Sequence, residues 1–224
     1  MIIHIIKIAF TAYSLNICYE SFLCLFIKAI NYIFFSHTDI TPWASTFIND
    51  IKKNKEWPIV FLNDSIIVLL NRNRPENKAV ISQYELTPEK FKENLPQILS
   101  KFDKNQDTHF RTLGNILYRL GWYQNSIFVY EALIEAQKDN AYGYQGAGYA
   151  YSAVNNIESQ TKAVQRIEKA IELGLENGPN FFILGVAYAN LGDFEKAKLA
   201  LRKYLELEPN NSQALQILWY LENQ

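Results

Sequence analysis

Phe181-Phe182-Ile183-Leu184-Gly185-Val186-Ala187-Tyr188-Ala189-Asn190-Leu191-Gly192-Asp193-Phe194-Glu195-Lys196-Ala197, with Pro209 downstream, is the stretch on which the fold turns. It reads as two short helices joined by a tight turn. Gly185 lets the helices approach closely, and Leu184, Tyr188 and Ala197 fall on the faces that must touch. Gly192 suits the left-handed residue that closes the first helix, and Asp193 can cap the second. Pro209 cannot continue a helix, so the unit ends before it.

The pattern recurs upstream. One copy is Tyr144-Gln145-Gly146-Ala147-Gly148-Tyr149-Ala150-Tyr151, with Ala163 and Ala170 in the helix that follows. Another is Phe110-Arg111-Thr112-Leu113-Gly114-Asn115-Ile116-Leu117, then Leu120-Gly121-Trp122-Tyr123. The key glycines are separated by 148 − 114 = 34 and 185 − 148 = 37 residues. The three extra residues are assigned to the turn around Asn155–Ser159, where a longer loop costs little.

Aromatic-x2-Leu-Gly-x2-Tyr, then Leu-Gly-x-Phe-x2-Ala, then a late Pro, resembles the tetratricopeptide repeat, a helix-turn-helix unit of about 34 residues. The resemblance implies a mainly all-α chain built as an α-solenoid. Its three repeats are 107–140, 141–177 and 178–211, and a capping helix covers 212–224. Ser212 is expected to cap that last helix. One such unit cannot bury its own apolar face, so neighbours must stack on it.

Residues 1–36 are apolar almost throughout, with Lys7, Glu20 and Lys28 as charges. No charge-free run reaches the roughly 18–20 residues of a clean membrane span. Three readings stay open: a membrane anchor, a buried apolar helix with a polar stripe, and a targeting segment. Residues 37–106 are expected to be mostly helical and to cap the first repeat. Thr41-Pro42 and Thr87-Pro88-Glu89 read as helix starts, and Pro96 should kink or break the second helix. Ile59–Leu62, Ser65–Leu70 and Lys78–Ser82 allow strands by their β-branched content. The helical neighbours tip the expectation towards helix.

Net charge is −1, so the basic footprint of a nucleic-acid binder is absent. Cys18 and Cys24 form neither a Cys-x-x-Cys pair nor a disulfide framework. A cytoplasmic chain is expected, or one membrane-associated on the face of a reducing compartment. His4, His37 and His109 are scattered without metal-ligand spacing, so no metal or cofactor is expected. Gly143-x-x-Gly146-x-Gly148 follows no strand and reads as helix packing, not as a phosphate loop. No nucleophile, base or acid pair emerges, so an enzyme within residues 37–106 is the lesser reading.

What remains is a surface. In proteins with these repeats, the first helices line a concave groove that holds a partner peptide or helix. Carried over by position, the groove residues would be Thr108, Arg111, Asn115, Tyr118 and Arg119 in the first repeat. The second repeat would supply Tyr142, Gln145, Tyr149 and Ser152, and the third Phe182, Val186, Ala189 and Asn190. The basic and amide set with which some relatives clamp a chaperone's C-terminal carboxylate is mostly missing. Arg111 and Asn115 match it, while Gly146, Pro179 and Ile183 do not. The resemblance therefore implies a non-enzymatic adaptor or assembly factor with a protein or peptide partner. Membrane-tethered assembly through residues 1–36 and a secretion-type chaperone are the alternatives.

Overall fold

The computed structural model describes residues 31–38 and 42–223, without the side chain of Trp43. The expectations for residues 1–30 lie outside the described residues. Two compact units emerge. One runs to Asn94 and takes in Arg119–Gly121; the other comprises Leu95–Tyr118 and Trp122–Gln224.

In the first unit, β1 (Tyr32–Ser36), β2 (Ile59–Leu62) and β3 (Ile66–Leu70) form an antiparallel sheet in the order β1-β3-β2. This corrects the helical expectation for residues 32–36 and 59–70. The cause is local. Asn63 Oδ1 accepts the backbone N–H groups of Ser65 at 2.9 Å and Ile66 at 2.8 Å, and Asn63 N donates to the Ile66 carbonyl at 3.1 Å. That side-chain turn folds two β-branched runs back on one another. Ile67 and Leu69 are fully buried while Ile66, Val68 and Leu70 are half-buried, the alternation of a strand.

Helix α1 (Pro42–Ile51) buries Ala44, Phe47 and Ile48, and the Phe47 ring lies 4.7 Å from that of Phe35 on β1. Short helix α2 (Lys78–Tyr84) follows, as the helical expectation for Lys78–Ser82 required. Helix α3 (Pro88–Leu99) starts where Thr87 Oγ1 accepts the N–H of Lys90 at 3.3 Å. Of the kink or break expected at Pro96, the break does not occur: α3 runs through it to Leu99.

The second unit is helical. Helices α4 (Thr108–Arg119) and α5 (Tyr123–Ala136) form the first pair. Helices α6 (Ala141–Ser152) and α7 (Ile157–Glu172) form the second, and α8 (Gly178–Leu191) and α9 (Phe194–Leu207) the third. Helix α10 (Ser212–Glu222) lies against α9. Gly192 closes α8 at φ 80°, and Asp193 Oδ1 accepts the N–H of Lys196 at 3.3 Å. The cap of α10 is Asn211, not Ser212: its Oδ1 accepts the Ala214 N–H at 3.0 Å. Asn211 takes the extended backbone a cap needs, and Ser212 is already the first helical residue.

The three glycines occupy equivalent helix crossings. A methyl group added at Gly114 would sit 2.5 Å from Tyr130, at Gly148 2.5 Å from Ile167, and at Gly185 2.6 Å from Leu201. Each partner lies on the second helix of the same pair. The offsets are 130 − 114 = 16, 201 − 185 = 16 and 167 − 148 = 19. The extra three residues thus fall between glycine and partner in the middle pair, the interval that holds the Asn155–Ser159 turn. Asn156 there caps α7 by accepting the Ser159 N–H at 2.8 Å.

Apolar residues between the helices complete the core. Ala163, Val164 and Ile167 of α7 meet Leu184 and Ala187 of α8 and Ala200 of α9. Phe181, Leu201 and Tyr204 meet Ala214 and Leu221 of α10.

Candidate binding face

First helices α4, α6 and α8 are tied side by side by polar contacts that leave their outward rows partly open. The Arg111 guanidinium of α4 lies 4.1 Å from the ring centre of Tyr142 on α6. Asp107 holds the same guanidinium from behind, Nη1 to Oδ2 at 3.2 Å. On α6, Gln145 Nε2 donates to Asn180 Oδ1 at 2.9 Å and to the Tyr149 hydroxyl at 3.2 Å. Asn180 at the start of α8 is fully buried, and its Nδ2 donates to the Leu175 carbonyl at 2.7 Å. Gln145 is therefore held in one orientation before any ligand arrives.

None of the expected groove residues is buried. Thr108, Asn115, Tyr142 and Asn190 are exposed; Arg111, Tyr118, Gln145, Tyr149, Ser152, Phe182, Val186 and Ala189 are half-buried. Ser152 Oγ donates back to the Tyr149 carbonyl at 2.8 Å, an intrahelical bond. Asn190 Nδ2 donates to Gln160 Oε1 at 3.3 Å. The Phe182 ring leans on Tyr204, 5.1 Å between centres. Arg119 is the remaining expected residue. It groups with the first unit, where its Nη2 donates to Ser45 Oγ at 3.2 Å.

Burial pushes the hydroxyls of Tyr118 and Tyr149 above the ordinary tyrosine range, so both stay protonated donors near neutrality. The Tyr118 ring also lies 5.6 Å from that of Tyr123. The face thus offers aromatic rings, neutral donors and one cation already shared with Asp107.

Three contributors were not singled out from the sequence. Tyr130 on α5 runs under the face, and its hydroxyl donates to Asn115 Oδ1 at 2.7 Å. Its position 16 residues after Gly114, matching Leu201 after Gly185, is the signal that could have found it. Asn180 and Asp107 act through side chains from neighbouring turns, and no periodicity announces them. Among the described residues, no group of three or more His, Cys, Asp or Glu converges as a metal site, and no helix is long and apolar enough to cross a membrane.

The model of the tetratricopeptide repeat matches residues 112–140, and that of the Fis1 C-terminal tetratricopeptide repeat matches residues 181–224. Human peptidyl-prolyl cis-trans isomerase FKBP4 is 28% identical over 123 residues, 49% of this chain and 26% of that protein. The chain thus spans about a quarter of that relative's length. Among solved structures, the first TPR domain of human RPAP3 aligns with TM-score 0.48 and 23% identity, over 54% of this chain and 93% of that one. The first TPR of Spaghetti (RPAP3), bound to the HSP90 peptide SRMEEVD, aligns with TM-score 0.48 and 24% identity, over 55% and 97%. Two matched repeats flank a middle pair whose glycine meets its second helix in the same way, and the chain accordingly carries tetratricopeptide repeats at residues 112–140 and 181–224.

Proposed function

We propose that this chain is a non-enzymatic protein-interaction module that holds a segment of a partner protein along α4, α6 and α8. The observation that carries the reading is the pre-set row Arg111–Tyr142–Gln145–Tyr149. Its side chains are fixed by Asp107 and Asn180 yet remain accessible. Side chains immobilised beforehand lose little entropy when a ligand binds, and aromatic residues and arginine are the usual anchors at interfaces.

The ligand chemistry that fits is apolar or aromatic, with a single anionic group near Arg111. A carboxylate-tail clamp of the kind that the HSP90-peptide complex of Spaghetti suggests fits less well. Arg111 is already paired with Asp107, and Gly146, Pro179 and Ile183 carry no charge. Binding of a C-terminal aspartate, with its two carboxylates, calls for more than one uncompensated cation.

The test is selection of displayed random peptides on the full chain, with SRMEEVD as a defined competitor. Peptides rich in aromatic and apolar residues, lost on Tyr149→Ala and not displaced by SRMEEVD, support the reading. Peptides that bind the Tyr149→Ala chain equally well contradict it. Displacement by SRMEEVD moves the ligand to the carboxylate-tail class.

A further inference from the structure

The side-chain amide of Gln145 spends both of its hydrogens inside the protein. One goes to Asn180 Oδ1 at 2.9 Å and the other to the Tyr149 hydroxyl oxygen at 3.2 Å. The Tyr149 hydroxyl therefore accepts from Gln145, and its own hydrogen must serve another acceptor. Among the described residues no acceptor takes it, and none takes the hydroxyl hydrogen of Tyr118 or Tyr142. Burial keeps Tyr118 and Tyr149 protonated, and Arg111 is already paired with Asp107. The face thus meets a ligand chiefly with aromatic rings and neutral hydroxyl donors.

Tyr142 and Tyr149 stand 149 − 142 = 7 residues apart on α6, two turns or about 10.5 Å along the axis. Arg111 lies over one face of the Tyr142 ring, which is still 45% exposed. A β-strand repeats its same-side residues at about 6.6 or 13 Å and matches this spacing poorly. An amphipathic helix matches it at seven-residue intervals, but its carbonyls are bonded within the helix and leave the tyrosine hydrogens unanswered. A polyproline II segment repeats every three residues, about 9.3 Å, close to the ring spacing. It has no internal hydrogen bonds, so its carbonyls accept from hydroxyl donors while its proline rings pack on aromatic ones.

We infer that the partner segment is proline-rich and lies along α6 as a polyproline II helix. Its proline rings rest on Tyr142 and Tyr149, and one of its backbone carbonyls accepts from the Tyr149 hydroxyl. Proline holds φ fixed before binding, so such a segment loses little entropy on a row that Gln145 and Asn180 have already set. This inference rests on the α4, α6 and α8 reading and narrows its ligand to one class.

Fluorescence anisotropy of a labelled oligoproline of about nine residues, three turns, titrated with the full chain tests it. The oligoproline is expected to bind. Tyr149→Phe keeps the ring and removes the hydroxyl, and should weaken binding about fivefold. Tyr142→Ala removes an exposed ring and should weaken it about tenfold or more. An alanine-rich helical peptide of equal length is the control, and its binding as tightly as the oligoproline overturns the inference. Equal affinity of the oligoproline for the wild type and both variants overturns it as well. Absence of oligoproline binding up to about 1 mM, while peptides selected on the same chain still depend on Tyr149, overturns this inference and leaves the groove reading standing. Failure of oligoproline and selected peptides alike overturns both.

Discussion

The Tyr130 hydroxyl donates to Asn115 Oδ1 at 2.7 Å while its ring fills the gap between Gly114 of α4 and Gly146 of α6. One side chain thus spaces two first helices and reaches the row proposed to bind. A methyl group at Gly146 would come closer to Tyr130 than one at Gly114 does. Gly146→Ala should destabilise the chain by roughly 1–3 kcal/mol from overpacking, with up to about 1 kcal/mol returned by helix propensity. Gly143→Ala is the control, since its new methyl would meet Leu133 at 3.2 Å, a gap that a small shift absorbs. Urea denaturation should rank Gly146→Ala below Gly143→Ala; the opposite order would mean Tyr130 is not locked in place.

Glu131 on α5 receives both Arg166 Nε at 2.8 Å and Arg166 Nη2 at 2.9 Å from α7. Both side chains are about 30% exposed, so water screens the pair only in part. A double-mutant cycle of Glu131→Gln and Arg166→Gln should return a coupling of about 1 kcal/mol, as expected of a bidentate, partly buried pair. The same cycle on the solvated Lys162 and Glu158 pair of α7 should return less. Equal couplings would show that α5 and α7 are not held together by this contact.

Burial lowers the pKa of His37 below its ordinary 6.5, against the opposing pull of the Asn63 carbonyl and the Asp64 carboxylate; Arg119 lowers it further. The fold therefore prefers the neutral ring, whose Nε2 lies 2.8 Å from the Asn63 carbonyl. A base with a depressed folded pKa contributes stability that is fully present above pH 6.5 and is lost as pH falls through the window below it. Denaturation midpoints of wild type minus His37→Gln should decline from pH 7 towards about pH 5. A flat difference would remove His37 as the group concerned.

Arg111→Glu reverses the cation beside Tyr142 and sets a carboxylate against Asp107. Peptides selected on the wild-type chain should bind at least about tenfold more weakly, or about 1.4 kcal/mol. Fluorescence anisotropy reads this directly, and an unchanged affinity moves the site away from α4.

The repeats were legible because their signal is redundant. Gly114, Gly148 and Gly185 recur at spacings that helix pairs dictate, and the structure sets all three at the same crossing. The hairpin of β2 and β3 was misread although its turn, Asn63-Asp64-Ser65, stands in the sequence. The helical neighbours outweighed the β-branched runs, and only the side-chain turn at Asn63 decides between them. Within the candidate face, helical register tells which residues look outward. It does not tell that Asp107 takes up Arg111, that Asn180 fixes Gln145, or that Tyr130 reaches Asn115. Those contacts join separate turns and helices, where a linear pattern carries no distance.

Amide hydrogen exchange of the full chain, with and without the tightest selected peptide, tests the central claim most directly. The account predicts new protection along the outward rows of α4, α6 and α8, centred on Arg111, Tyr142, Gln145, Tyr149 and Phe182, with α5, α7 and α9 unchanged. Protection confined to α5, α7 and α9, or to residues 31–94, would contradict it.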